Sequence, residues 1–413
     1  MPKALQKAIS ETAELLRGNF LVLMITWVLM RIAFRMVTPY ETLFIRALGA
    51  DETIIGMMMS AYQAVFCFSI IPGSYIADRW GRKRIIVIMT FALGLSYLFY
   101  CFALSWHLIL AGMLIAALCR VYAPALSAIT ADSIPPGKRG IGYSMTRVLP
   151  DASALASPLM AVFLIEEFGF VDGLRIAYAA IVAVLLLCAL LRLFFLKETV
   201  EPAHPDGGIK NVYAEAVRDL TVVVREAPRP LKALLFAPLI VLPLANGLWT
   251  FVPLFVIDFS GLTEADWGMI STVRMAVGLS TGLFLGGLVD KLNRKNVLVI
   301  SYLARSILMG FLVFAKGFLQ ILIVMIFFEF LVGLSFPAMS SLLADLTPRE
   351  MRGRVLGARM LLMNIVSIPM PTLVGFLYQY VNPRLPFFAV CALSTASALA
   401  LALAAEEPLE KEA

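Results

Sequence analysis

Nine arginines interrupt the apolar runs of this chain: Arg31, Arg35, Arg120, Arg147, Arg175, Arg192, Arg274, Arg305 and Arg359. Asp151 and Glu329 stand in similar surroundings. A charge inside hydrocarbon is costly and is retained mainly for function. A guanidinium is planar, permanently charged, and matched to carboxylates and phosphates by its fork of donors. Arg31 and Arg35 are one helical turn apart, on a face shared with Thr38 and Thr42. Arg120 and Glu329 fall near the middle of their runs, as does Asn246, with Trp249 three residues on. Asp151 and Glu329 are the candidate carriers of a coupling proton. Arg147, four residues before Asp151, can pair with it on a helix. Arg175 and Arg192 lie near the ends of their runs, from where long side chains can reach water. Arg305 has no assigned place.

The elements that must position these residues follow from composition. The chain has 413 residues, 61% hydrophobic and 15% charged, with mean hydropathy +0.88. Apolar runs long enough to cross about 30 Å of hydrocarbon as helices recur throughout. Twelve are read, near 20–44, 53–77, 85–105, 107–131, 141–166, 173–196, 233–257, 266–289, 296–315, 318–343, 355–379 and 385–404. They are too long for barrel strands and lack the alternation of a membrane barrel, and helices satisfy every backbone group in lipid. The expected class is an all-α integral membrane protein. Lys and Arg crowd the connections on one side, whereas the opposite loops carry only Arg46, Lys316 and Arg384. That asymmetry predicts a multi-pass plasma-membrane protein with both termini cytoplasmic. It also accounts for the net charge of +6 without a nucleic-acid partner. Lys3, Lys7 and Arg17 interleave with Leu5, Ile9, Thr12 and Leu16, which suggests a short helix on the membrane face rather than a cleaved leader. The five cysteines fall within the spans without metal-like spacing and read as packing residues, so no metal or cofactor is expected. No G-x-x-x-x-G-K-[ST] loop or H-E-x-x-H pair occurs, and His107 and His204 are the only histidines, so catalysis is not expected.

The chain contains an internal repeat. GSYIADRWGRKR (73–84) finds a counterpart in GGLVDKLNRKN (286–296): Asp78 matches Asp290, Arg82 matches Arg294 and Lys83 matches Lys295. PALSAITADSIPPGKRG (124–140) aligns with PAMSSLLADLTPREMRG (337–353), and the same register sets Asp151 against Asn364. Two six-helix halves in parallel orientation are expected, over 1–196 and 233–413. The polar segment 197–232 joins them, with a helix over 209–226.

These motifs resemble those of the major facilitator superfamily, over nearly the whole chain. The resemblance implies two pseudo-symmetric six-helix bundles around a cavity lined by spans 1, 4, 7 and 10. That assignment makes Arg31, Arg35, Arg120, Asn246, Trp249 and Glu329 the candidate substrate-binding residues. Three arginines against one acid point to an organic anion. The same resemblance implies a secondary transporter working by alternating access, often with proton coupling. It also implies that Asp78 faces the start of span 11 near Gly353 and Arg354, and that Arg82 pairs with Asp132. By the repeat, Asp290 faces the start of span 5, and Arg294 or Lys295 faces Asp345. Asp78, Arg82, Asp132, Asp290, Arg294 and Asp345 form the expected cytoplasmic gate. Its second latch is expected to be weaker, because Lys291 replaces the arginine after the aspartate. Gly81 suits a tight turn, and Asn293, at the matching place, tolerates a left-handed backbone. Organic-anion transport by a monomer is the leading expectation, with a small solute and protons as partners beside the bilayer. Proton-coupled multidrug efflux is the alternative, supported by plentiful methionine. Against it, the family's efflux group commonly has an arginine where Gly112 stands, and its helix 5 signature is replaced by Ser157 and Pro158. A sensor of the same fold that does not transport is the third reading.

Overall fold

The structure is a computed structural model that describes residues 15–201, 208–285, 292–348 and 351–405. The predicted membrane-face helix at the N-terminus, and Asp290, lie outside the described residues. The described chain is helical. In order, the helices are α1 (Gly18–Val37), α2 (Glu41–Ala47), α3 (Glu52–Ile70), α4 (Gly73–Trp80), α5 (Arg82–Ser96), α6 (Leu98–Cys101) and α7 (Trp106–Cys119). There follow α8 (Ala123–Ser133), α9 (Arg139–Ser153), α10 (Ser157–Phe168), α11 (Phe170–Phe195), α12 (Ile209–Glu226) and α13 (Arg229–Trp249). The last are α14 (Val252–Ser260), α15 (Glu264–Phe284), α16 (Arg294–Phe314), α17 (Gly317–Asp345), α18 (Arg352–Ser367), α19 (Met370–Phe376) and α20 (Leu385–Ala404).

Among the described residues, 11 segments are long and apolar enough to cross a membrane. Eleven of the twelve predicted spans correspond to them. The other, α15, is a 21-residue helix whose Thr272, Arg274, Ser280 and Thr281 dilute its apolar run, and part of its predicted length lies outside the described residues. The helix expected in the connecting segment is α12.

Several spans are broken where proline removes a backbone donor. Pro72 ends the ladder between α3 and α4 and deprives the Phe68 carbonyl of its donor one turn on. The Tyr213 hydroxyl of α12 donates to that carbonyl instead, at 2.7 Å. Pro124 does the same to Arg120, whose carbonyl accepts from Ala123, three residues on, within a tightened 3-10 turn over Arg120–Tyr122. Gly81, between α4 and α5, has φ +90°, a backbone conformation open to glycine at little cost. Asn293 differs from expectation. Its φ is −71°, and its side chain caps α16 by accepting from the Asn296 amide. An N-cap asparagine satisfies an orphan amide, which a left-handed turn there would not.

The chain divides into two compact units. The first runs to Thr38 and resumes over Val65–Tyr213. In it α1 packs on α9, α10 and α11, while α5 packs on α7 and α11. The second comprises Pro39–Ala64 and the residues from Ala214 on. In it α16 packs on α17 and α20, α13 on α18, α19 and α20, and α15 on α17. Its segment Pro39–Ala64 is bound by Arg46 to Asp258 of α14 at 2.6 Å, by Thr372 to Ser60 at 2.7 Å, and by Gln63 to Asn364 at 3.3 Å.

Candidate functional site

In the first unit, Arg31, Arg35 and Asp151 come together. Arg31 Nε lies 3.0 Å from Asp151, and Arg35 lies 3.9 Å from the same carboxylate oxygen. Helical spacing places both arginines of α1 toward α9, where Asp151 follows Pro150, a proline inside that helix. One negative charge thus answers two cations.

Beside this group is a cavity of about 440 Å³. Arg31 and Arg120 line it, with four aromatic rings, Trp27, Phe34, Tyr122 and Tyr143. Ser127, Thr130 and Thr146 also line it, and each donates its hydroxyl proton to a carbonyl within a turn. The guanidiniums are therefore its charged donors, set in an aromatic wall. Arg120 sits in the tightened turn created by Pro124, so the sequence feature that breaks the helix also positions the charge.

In the second unit, Glu329 of α17 lies 3.7 Å from Arg274 of α15. Arg274 also stacks over Trp249, 4.9 Å from the ring centroid. Trp249 meets Phe328 edge-on at 5.1 Å, and the far partner of Phe328 is Arg305, at 4.9 Å. Two cations, Arg274 and Arg305, thus flank the ring pair of Trp249 and Phe328. Such cation–ring contacts are worth roughly 1–2 kcal/mol each where water is excluded. Gly278 of α15 leaves room for the acid, since a Cβ there would lie 3.0 Å from Glu329 Oε1. Asn246 is exposed on α13, and its side chain makes no hydrogen bond among the described residues.

The sequence reading assigned no role to Arg274 and no place to Arg305. A cation in an apolar run was the only available signal, because one sequence does not say which aromatic faces it. Arg192 requires a correction. It does not reach water but is fully buried at 0% exposure, held by threonine hydroxyls. Arg175 pairs with Asp172 at 2.8 Å.

Of the expected gate residues, Arg82 pairs with Asp132, and Arg294 pairs with Asp345. The second pair is not the weaker by enclosure: its side chains are 9% and 11% exposed, against 16% and 40% for the first. The arginine opens α16 close beside the end of α17, which shelters the bond whatever follows Asp290. Asp78 is exposed and makes no ion pair among the described residues. Arg354 lies 3.4 Å from Asp219 of α12.

The family model "Major Facilitator Superfamily" matches residues 23–269 and again 234–413. Multidrug resistance protein MdtG of Klebsiella pneumoniae (strain 342) is 26% identical over 347 residues, covering 81% of each chain. Among solved structures, the human organic anion transporter MFSD10 (TETRAN) superposes with a TM-score of 0.66 at 17% identity, covering 93% of this chain and 98% of that one. The xylose transporter XylE from E. coli superposes with a TM-score of 0.71 at 14% identity, covering 95% and 97%. At these identities the structural likenesses establish the fold.

Proposed function

We propose that this chain, which belongs to the Major Facilitator Superfamily, exports varied amphipathic compounds by alternating access in exchange for protons. It is a secondary transporter of the multi-pass membrane type. The observation that carries the substrate class is the cavity of the first unit. Four rings offer adaptable apolar contact, and Arg31, the charge nearest them on α1, is already answered by Asp151. A site of that kind accepts many shapes, as expected of promiscuous binders. The name of the MdtG relative supports the same class. A second reading, transport of organic anions, is favoured by Arg120 and Arg31 in the same lining.

In this proposal Asp151 and Glu329 carry the coupling proton, each beside an arginine that a bound compound can draw away. Residues 1–196 and 233–413, joined by 197–232, are the bodies that rock. Arg82–Asp132 and Arg294–Asp345 brace the cation-rich face, taken as cytoplasmic; the proposed gate also includes Asp78, and Asp290, which lies outside the described residues. Within the second unit, the bonds of Pro39–Ala64 to α14, α18 and α19 brace the other face. The protein is taken to act as a monomer.

The test is ligand-induced thermal stabilisation of the purified protein with lipophilic amphiphiles and with organic anions, repeated on Arg120→Gln and Arg35→Gln. Binding to the folded state raises the melting temperature by mass action. Stabilisation by structurally unrelated amphiphiles, retained in both variants, is expected. Stabilisation by anions alone, lost in Arg120→Gln, would replace efflux with the organic-anion reading.

A further inference from the structure

Arg192 of α11 has no exposed surface. Its Nε and Nη2 each donate to Thr26 Oγ1 at 3.2 Å, and Nη1 donates to Thr90 Oγ1 at 2.7 Å. Both hydroxyl protons are committed elsewhere. Thr26 donates to the Leu23 carbonyl at 3.0 Å and Thr90 to the Ile86 carbonyl at 2.6 Å. The threonine oxygens therefore present lone pairs to the guanidinium, an arrangement suited to N–H donors. No carboxylate lies within ion-pair distance of it among the described residues. Its charge is solvated by dipoles and is not cancelled.

A further donor direction leads toward the cavity. Nη2 lies 3.5 Å from Met30 Sδ, and Met30 and its neighbour Trp27 line the cavity. One side chain separates a permanent positive charge from the cavity. Burying an uncompensated charge is expensive, and a hydrophobic side chain of similar volume would pack α1, α5 and α11 without that cost. The expense is explained if the charge acts at a distance. Where water is displaced, a unit charge is felt across such a span.

We infer that Arg192 is a specificity-determining residue, a buried cation behind Met30 that biases the cavity against cationic compounds in favour of neutral and anionic ones. This rests on the cavity being the binding site. It narrows the proposed cargo by repulsion, the part of specificity that contacts alone do not supply.

The test uses the purified full-length protein and three probes of one shape: an aromatic carboxylate, its methyl ester and the matching amine. Affinities are read by Trp27-sensitive fluorescence and by thermal shift in the parent, Arg192→Met, Arg192→Gln and Arg192→Lys. The carboxylate-to-amine affinity ratio should fall on the order of tenfold in Arg192→Met and Arg192→Gln. The ratio should persist in Arg192→Lys, and ester binding should persist throughout. The glutamine variant keeps a donor to the threonines, so it serves if the methionine variant fails to fold. Parallel weakening of all three probes with an unchanged ratio would mean that Arg192 only staples helices, and would overturn the inference alone. Ester binding unaffected by Trp27→Ala would remove the cavity reading, and this inference with it.

Discussion

At the scale of single residues, the arginines of the apolar runs outnumber the acids set among them. Asp151 serves Arg31 and Arg35 together. Replacing it by asparagine leaves two guanidiniums side by side with that answering charge removed. The group is partly exposed, so water moderates the cost to about 1–2 kcal/mol, seen as a melting temperature several degrees lower. Arg31→Gln in the same chain should recover most of that loss. If Asp151 carries the proton, proton-driven export also stops in Asp151→Asn. Undiminished export there would exclude Asp151 from coupling. Arg274→Lys should likewise lose the flat contact over Trp249, since an ammonium does not stack as a guanidinium does. Fluorescence of Trp249 is the readout, with Glu329 left intact.

At the scale of elements, the motif GSYIADRWGRKR acquires a physical reading at both glycines. A Cβ on Gly73 would lie 2.3 Å from the Val121 carbonyl, so α4 reaches the turn before α8 only without a side chain there. Gly73→Ala should cost about 2–3 kcal/mol, measured as thermal destabilisation, because backbone rather than a yielding side chain must move. The spacing of apolar runs made the spans legible; the family resemblance implied Arg82–Asp132, and the repeat carried that pair to Asp345, with Arg294 or Lys295 as its partner. What could not be read was which way a lone side chain points. Arg192, three residues from the end of α11, looked free to reach water. The two threonines that hold it lie 166 and 102 residues away, and nothing local reports them. Asn293 misled for a related reason: its place in the repeat matched Gly81, but an asparagine before a helix has a capping role open to it that glycine lacks.

At the scale of the whole molecule, the ends of the spans are pinned by ion pairs of unequal shelter. Arg294–Asp345 is nearly enclosed, whereas Asp132 is 40% exposed. Asp345→Asn should therefore cost about 3 kcal/mol and Asp132→Asn about 1 kcal/mol, because a guanidinium left without its acid in an enclosed place has no water to turn to. Equal melting temperatures for the two variants would show that enclosure does not set their strength. Arg46 and Asp258 make the corresponding bond at the ends of α2 and α14. Reversing either charge should impair the protein, and reversing both, Arg46→Asp with Asp258→Arg, should restore it, which a double-mutant cycle on stability and transport would measure.

That last bond also bears on ancestry. Arg46 and Asp258 are 212 positions apart, the same interval that separates Asp78 from Asp290. They occupy equivalent places in the two copies of the repeat, and they touch. A progenitor made of two identical copies would have set like against like at this point, cation on cation or acid on acid. The bond requires that the two copies had diverged at this position, so it had no counterpart in a pair of identical halves.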